Sequence, residues 1–142
     1  MRKTVLTCLL LIISMSFLQA QNVLGKWKTI DDETGKEKSI VEIYEKNGLL
    51  YGKILELLGE KNKNAVCSAC SGKNKNKPYV GLVIITDLKK DGDEWSGGKI
   101  LDPKTGKEYK CHIALESADK LKVRGYLGIS LIGRTQYWQR VR

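Results

Sequence analysis

The stretch EYKCHIALESADKLKVRG, Glu108 to Gly125, decides the fold. Tyr109, Cys111, Ile113 and Leu115 fall on one face of an extended chain, and Glu108, Lys110, His112 and Glu116 fall on the other. Ser117, Ala118 and Asp119 then signal a turn. Alternation resumes with Leu121 and Val123 set against Lys120, Lys122 and Arg124. A period of two with one polar face predicts an antiparallel hairpin that is wet on one side.

The same grammar extends in both directions. Turn signals recur at Asp31–Lys36, Lys46–Gly48, Lys89–Glu94 and Asp102–Glu108, and Gly and Asn supply the positive φ of tight hairpins. Between them lie runs rich in Val, Ile, Leu, Tyr and Trp. They predict strands near Leu24–Ile30, Ser39–Glu45, Leu49–Leu57, Val80–Leu88, Glu94–Leu101, Glu108–Glu116, Lys120–Leu127 and Arg134–Val141. On the last of these, Tyr137 and Val141 are expected inward and Trp138 outward. No run holds a helical period. The fold class is therefore all-β: an eight-stranded antiparallel up-and-down meander, closed into a barrel because closure removes exposed edges. An open sandwich is the alternative. The interior of eight strands accommodates packed side chains or one small ligand. Tyr51 or Tyr109 pointing inward would fill it, whereas Gly25, Gly52 and Gly97 would leave space.

The chain begins MRKTVLTCLLLIISMSFLQAQ, with Arg2 and Lys3 ahead of an apolar run from Thr4 to Leu18 and then Gln19 and Ala20. This order predicts a secretory signal peptide over residues 1–20 that carries Cys8 away on cleavage. The run is too short for a membrane span, which needs roughly 20 apolar residues. Cleavage would leave one barrel domain over residues 21–142, exported to the periplasm or extracellular space, not membrane-spanning and monomeric. Loss of Arg2 and Lys3 lowers the formal charge from +9 to +7. A basic exported chain meets anionic lipid headgroups, polysaccharide or acidic ligands rather than nucleic acid.

Two segments carry a resemblance. LGKWKTIDDE places Gly25, Lys26 and Trp27 on the first strand, and GRTQYWQR places Arg134 on the last. This resembles the calycin superfamily of lipocalin-like barrels, in which a Gly-x-Trp packs under an Arg of the last strand. The resemblance implies that Trp27 and Arg134 close the barrel, with Arg140 as the competing partner. A guanidinium stacked on an indole is worth about 0.5–2 kcal/mol. From Val23 to Val141 the chain also resembles the secreted bacterial proteins grouped as domain-of-unknown-function family 2147. The shared features are the first-strand Trp, the paired cysteines, the Asp102-Pro103 turn with Gly106, and the Gly133-Arg134-Thr135 run. This second likeness implies an exported lipocalin-like barrel and brings no catalytic residues with it.

Cys67, Cys70 and Cys111 remain after cleavage. Three readings of Cys67 and Cys70 stand open: a disulfide, a redox pair or half a metal site. A zinc site would need Cys111 and His112 as well, and adjacent strand residues point to opposite faces. A thioredoxin-like pair would need a helix after Cys70, where SGKNKNKP reads as loop. An oxidising compartment makes the disulfide the expectation. It would stiffen the long connection from Gly59 to Pro78 and leave Cys111 as an inward free thiol.

No Ser-His-Asp set, no glycine-rich phosphate loop and no convergent carboxylate pair occurs in the sequence. The expectation is a protein that is not an enzyme and uses no cofactor and no metal. It would bind a small apolar or amphiphilic molecule inside the barrel. Val41, Ile43, Val83 and Ile113 would hold the apolar body, and Lys61, Lys73 and Lys75 an acidic head at a mouth flanked by the long loop. Trp27 and Arg134 would close the other end. The alternative is a filled barrel whose basic surface docks on an anionic envelope surface. YLGISLIG, Tyr126 to Gly133, is apolar for a connection between strands; it is expected to fold against the barrel end, the alternative being an exposed patch that touches lipid or a partner.

Overall fold

In the computed structural model the Glu108–Gly125 hairpin is formed by β6 (Lys107–Ser117) paired with β7 (Lys120–Tyr126). Cys111 lies opposite Gly125, and Ile113 opposite Val123. The structure describes residues 22–59, 61, 63–129 and 131–142. The leader expected over residues 1–20 lies outside them. The remaining strands are β1 (Gly25–Ile30), β2 (Glu37–Lys46), β3 (Leu49–Leu57), β4 (Val83–Asp91), β5 (Glu94–Asp102) and β8 (Gly133–Arg140). Each pairs antiparallel with its sequence neighbour, and β1 pairs with β8 to close the barrel. The up-and-down, lipocalin-like order expected from the sequence is the observed one.

Up-and-down order gives the barrel two unlike ends. The base carries the entry to β1, the exit from β8 and the tight hairpins β2–β3, β4–β5 and β6–β7. Asn47 and Gly48, both at positive φ, make the first of these hairpins, the geometry that matches the strands' right-handed twist. The mouth carries the connections 31–36, 58–82, 103–106 and 127–132.

The core is concentrated toward the base. Trp27, Val41, Ile43, Leu50, Leu88, Cys111, Ile113 and Leu121 are fully buried there. Trp27 donates its indole N–H to the Val23 carbonyl at 2.8 Å. The Arg140 guanidinium lies 4.3 Å from the Trp27 ring centroid. It also donates to the carbonyls of Ala118 (2.8 Å), Leu24 (3.0 Å) and Asn22 (2.7 Å). One side chain thus covers the indole and ties the chain entry to the β6–β7 turn. Arg140, not Arg134, closes this end with Trp27. The reason is strand direction: β8 runs from mouth to base, so a residue six positions earlier sits about 20 Å away at the mouth.

Two strands depart from the expected pattern, β8 in parity and β4 in alternation itself. On β8 the inward row is Arg134, Gln136, Trp138 and Arg140. Trp138 is buried and Tyr137 is 43% exposed, the reverse of the expected parity. On β4 the pairing with β3 is broken by bulges, and Asp87 sits at φ 58°. Ile84 and Ile85 are both buried as a result. Val80 precedes the strand and is 44% exposed.

The long connection is ordered by its own hydrogen bonds. Cys67 and Cys70 form a disulfide. Cys67 N donates to Lys77 O, Asn76 N to Cys67 O, and Tyr79 N to Ala65 O. The paired cysteines are buried and pack against the β5–β6 turn. A Cβ on Gly106 would come within 2.0 Å of the Ala69 carbonyl oxygen, so only glycine allows that approach.

Candidate ligand-binding cavity at the barrel mouth

Above the packed base the barrel is hollow. A cavity of about 400 Å³ opens at the mouth. It exists because the upper inward positions carry side chains too small or too polar to fill the ring. β1 contributes Thr29, β2 Ser39, β7 Gly125 and β8 Gln136. The other wall is apolar, formed by Ile54, Ile84, Ile100, Leu101 and Val123, with Trp138 at the floor. Tyr109 also lines it, while Tyr51 faces outward and stacks on Tyr44. Gly52 faces inward lower down, where a Cβ would meet Ile85 and Val41 at 3.2–3.3 Å. Gly52 therefore serves packing and not space.

The polar wall is internally connected. The Thr29 and Ser39 hydroxyls hydrogen-bond at 2.8 Å, with both residues 7% exposed. The Gln136 carbonyl accepts from the Trp138 indole at 3.2 Å, and its amide donates to Asp32 at 3.1 Å. Arg134 Nε donates to the same Asp32 carboxylate, and its guanidinium reaches Glu33 at 3.3 Å. The β1–β2 loop is thereby fastened across the rim. The Arg134 hydrogen bond holds the Asp32 carboxyl below its ordinary range. Backbone N–H groups of Thr34 and Glu33 hold Asp31 down to about 2.

Several residues expected at the site lie elsewhere. Val41, Ile43 and Ile113 are inward but sealed in the packed base. Val83 is not interior: it pairs with outward Lys53 and lines a separate groove on the outer surface. The bulges of β4 shift its parity. That groove, about 550 Å³, is lined also by Tyr44, Tyr51, Lys73, Lys77 and Asp87. Lys73 therefore faces the outer groove, Lys75 donates to the Ser68 carbonyl within its own loop, and Lys61 is exposed on the long connection. None of the three borders the cavity. The cations on its rim are Lys38 and Arg134. Periodicity places Thr29, Ser39 and Val123 inward, but only the end-to-end polarity of the barrel separates mouth from base. The β7–β8 connection is not folded in: Leu131 is 86% exposed.

Cys111 is a buried free thiol whose pKa burial pushes up to about 12. His112 is on the outer face, 5.7 Å from the Tyr126 ring. Among the described residues no group of three or more His, Cys, Asp or Glu side chains is arranged to hold a metal ion.

Comparison with known proteins agrees with this geometry. A family model described as "Uncharacterized protein conserved in bacteria (DUF2147)" matches residues 25–140. Among solved structures, the chain is similar to protein HP1028 from the human pathogen Helicobacter pylori, which is described as belonging to the lipocalin family. The TM-score is 0.74 at 25% identity, over 85% of this chain and 84% of that one. No curated protein matches. The closed eight-stranded barrel and a match that spans all eight strands place the chain in one group: it belongs to the DUF2147 family, here with a lipocalin-like barrel.

Proposed function

We propose that this protein binds one small amphiphilic molecule in the upper half of the barrel, without catalysing a reaction on it. The observation that carries the reading is the cavity: about 400 Å³, floored by Trp138 above the packed base, open above, apolar on one wall and hydrogen-bonding on the other. Ligand sites commonly span about 300–1,000 Å³ and combine apolar walls with a few placed polar groups. The likeness to a lipocalin-family structure supports the same reading. The ligand's apolar body lies against Ile54, Ile84, Ile100 and Val123. Its polar head meets Thr29, Ser39 and Gln136, while Lys38 and Arg134 at the rim are already paired with Asp31, Asp32 and Glu33. Each buried methylene contributes about 0.8 kcal/mol, which after ordering costs gives affinities in roughly the micromolar range for medium-length chains.

The setting belongs to the same proposal. The protein acts as a monomer, exported to the periplasm or extracellular space after removal of residues 1–20. The Cys67–Cys70 disulfide fits an oxidising compartment. The rival reading, a filled barrel that serves only as an envelope interaction protein, fits the base but not the hollow mouth.

The test is titration of the mature protein and an Ile100→Trp variant with a fluorescent fatty-acid analogue. Saturable one-to-one binding that weakens at least tenfold in the variant, at unchanged circular dichroism, is expected. Equal affinity in both proteins, or no saturable binding of any chain length, would overturn the proposal.

A further inference from the structure

The connection between β7 and β8 is built against the usual rule for loops. Leu127, Ile129, Leu131 and Ile132 are 54%, 61%, 86% and 62% exposed. The other large exposed apolar residues, Val66, Val80 and Tyr137, do not belong to this segment. The loop closes on itself: Leu127 N donates to Ile132 O at 2.9 Å, and Ile132 N to Ile129 O at 3.1 Å. These bonds pair two backbone N–H groups within the loop, while Ile129 and Leu131 stand exposed and outside the cavity lining. That arrangement lowers the cost of entering an apolar medium, where unpaired backbone groups are expensive. Leu127 and Ile132 also line the cavity, so the apolar lip adjoins the barrel interior.

Cations stand beside this lip. The Lys110 ammonium donates to the Gly128 carbonyl at 3.4 Å, and Lys104 and Lys107 flank the adjacent β5–β6 turn. Most acidic groups at the same end are engaged: Asp32 and Glu33 with Arg134, Asp31 with Lys38, Glu37 with Lys28, Glu108 with Lys99, and Asp102 with the Lys104 N–H and the Thr105 hydroxyl; Glu56, on β3, is exposed. A shallow apolar tip with lysines at its shoulder matches the interface of an anionic bilayer. It is far too small for a second copy of the chain, since stable protein interfaces use about 20–30 residues a side.

We infer that the lip residues Leu127, Ile129, Leu131 and Ile132 dock the barrel mouth on anionic phospholipid, so that an amphiphile exchanges between membrane and cavity without crossing open water. The exchange rests on the cavity reading; the docking itself does not. The experiment is flotation of the mature protein, without cargo, with vesicles of phosphatidylcholine alone or mixed with phosphatidylglycerol. Binding to the mixed vesicles is expected, weakening as salt is raised. Ile129→Asn with Leu131→Asn should abolish it, while leaving the fluorescent analogue's affinity unchanged. Lys104→Glu and Lys110→Glu should each weaken it about fivefold or more. Vesicle binding without analogue binding would uphold docking and overturn the cavity reading. Analogue binding with no flotation on either vesicle, or flotation indifferent to the double variant, would overturn docking. A concentration-dependent dimer that buries the lip would overturn it as well.

Discussion

Arg134 and Arg140 share one strand and one chemistry, yet they do different work. Arg140 is covered, stacked on Trp27 and bonded to the carbonyls of Ala118, Leu24 and Asn22. Arg134 is half exposed and pairs with Asp32 and Glu33. Charge-assisted hydrogen bonds in covered sites contribute about 1.5–3 kcal/mol each and do not add fully. Exposed ion pairs contribute about 0–1 kcal/mol. Arg140→Ala should therefore cost about 2–4 kcal/mol in denaturant unfolding, and Arg134→Ala less than about 1. The reverse order would move the closure to Arg134. Cys111 offers a second check at this scale. Without reductant, one thiol should titrate, and only after denaturation. Its folded pKa, raised from 9.0 to about 12, means that above pH 9.0 the unfolded chain releases a proton the folded chain keeps. Stability then falls as pH rises, by up to about 1.4 kcal/mol per pH unit. The stability advantage of the native protein over Cys111→Ala should shrink across that window. An advantage constant between pH 8 and 11, as measured by urea unfolding, would contradict the buried thiol.

Among the strands, β6 and β7 were legible because the inward side chains are mostly apolar and their neighbours, Ala114 and Tyr126 apart, polar. β8 was not. Its inward row is Arg134, Gln136, Trp138 and Arg140, mostly polar because it lines a hollow mouth and a capped base. Adjacent Tyr137 and Trp138 then offer two aromatic candidates for one face. β4 misled for another reason: its bulges bury both Ile84 and Ile85 and turn Val83 outward, and a period of two cannot register an inserted residue. Trp27→Ala and Trp138→Ala should each cost about 3–5 kcal/mol, while Tyr137→Ala should cost much less. Chemical denaturation of the three variants measures this, and a Trp138→Ala loss as small as that of Tyr137→Ala would restore the outward assignment.

For the whole molecule, the sequence made the barrel and the placement of the long loop opposite Trp27 readable, but not the division of the interior. Val41, Ile43 and Ile113 look like cavity residues in a linear reading, since nothing local distinguishes a packed inward position from an open one. The difference is set by which small residues share a level: Thr29, Ser39 and Gly125 meet at the mouth, whereas Trp27, Leu50 and Leu88 meet at the base. The lysines of the long loop were equally ambiguous, because that loop folds on its own disulfide and carries Lys73 around to the outer groove. The most direct test of a hollow mouth over a sealed base is amide chemical-shift mapping of the labelled mature protein during titration with a medium-chain fatty acid. Saturable shifts are expected at Thr29, Ser39, Gly125 and Gln136, with none at Ile43, Leu50 or Ile113, nor at Gly97 in the outer groove. Shifts confined to the outer groove, or no saturable shift at the four mouth residues, would contradict it.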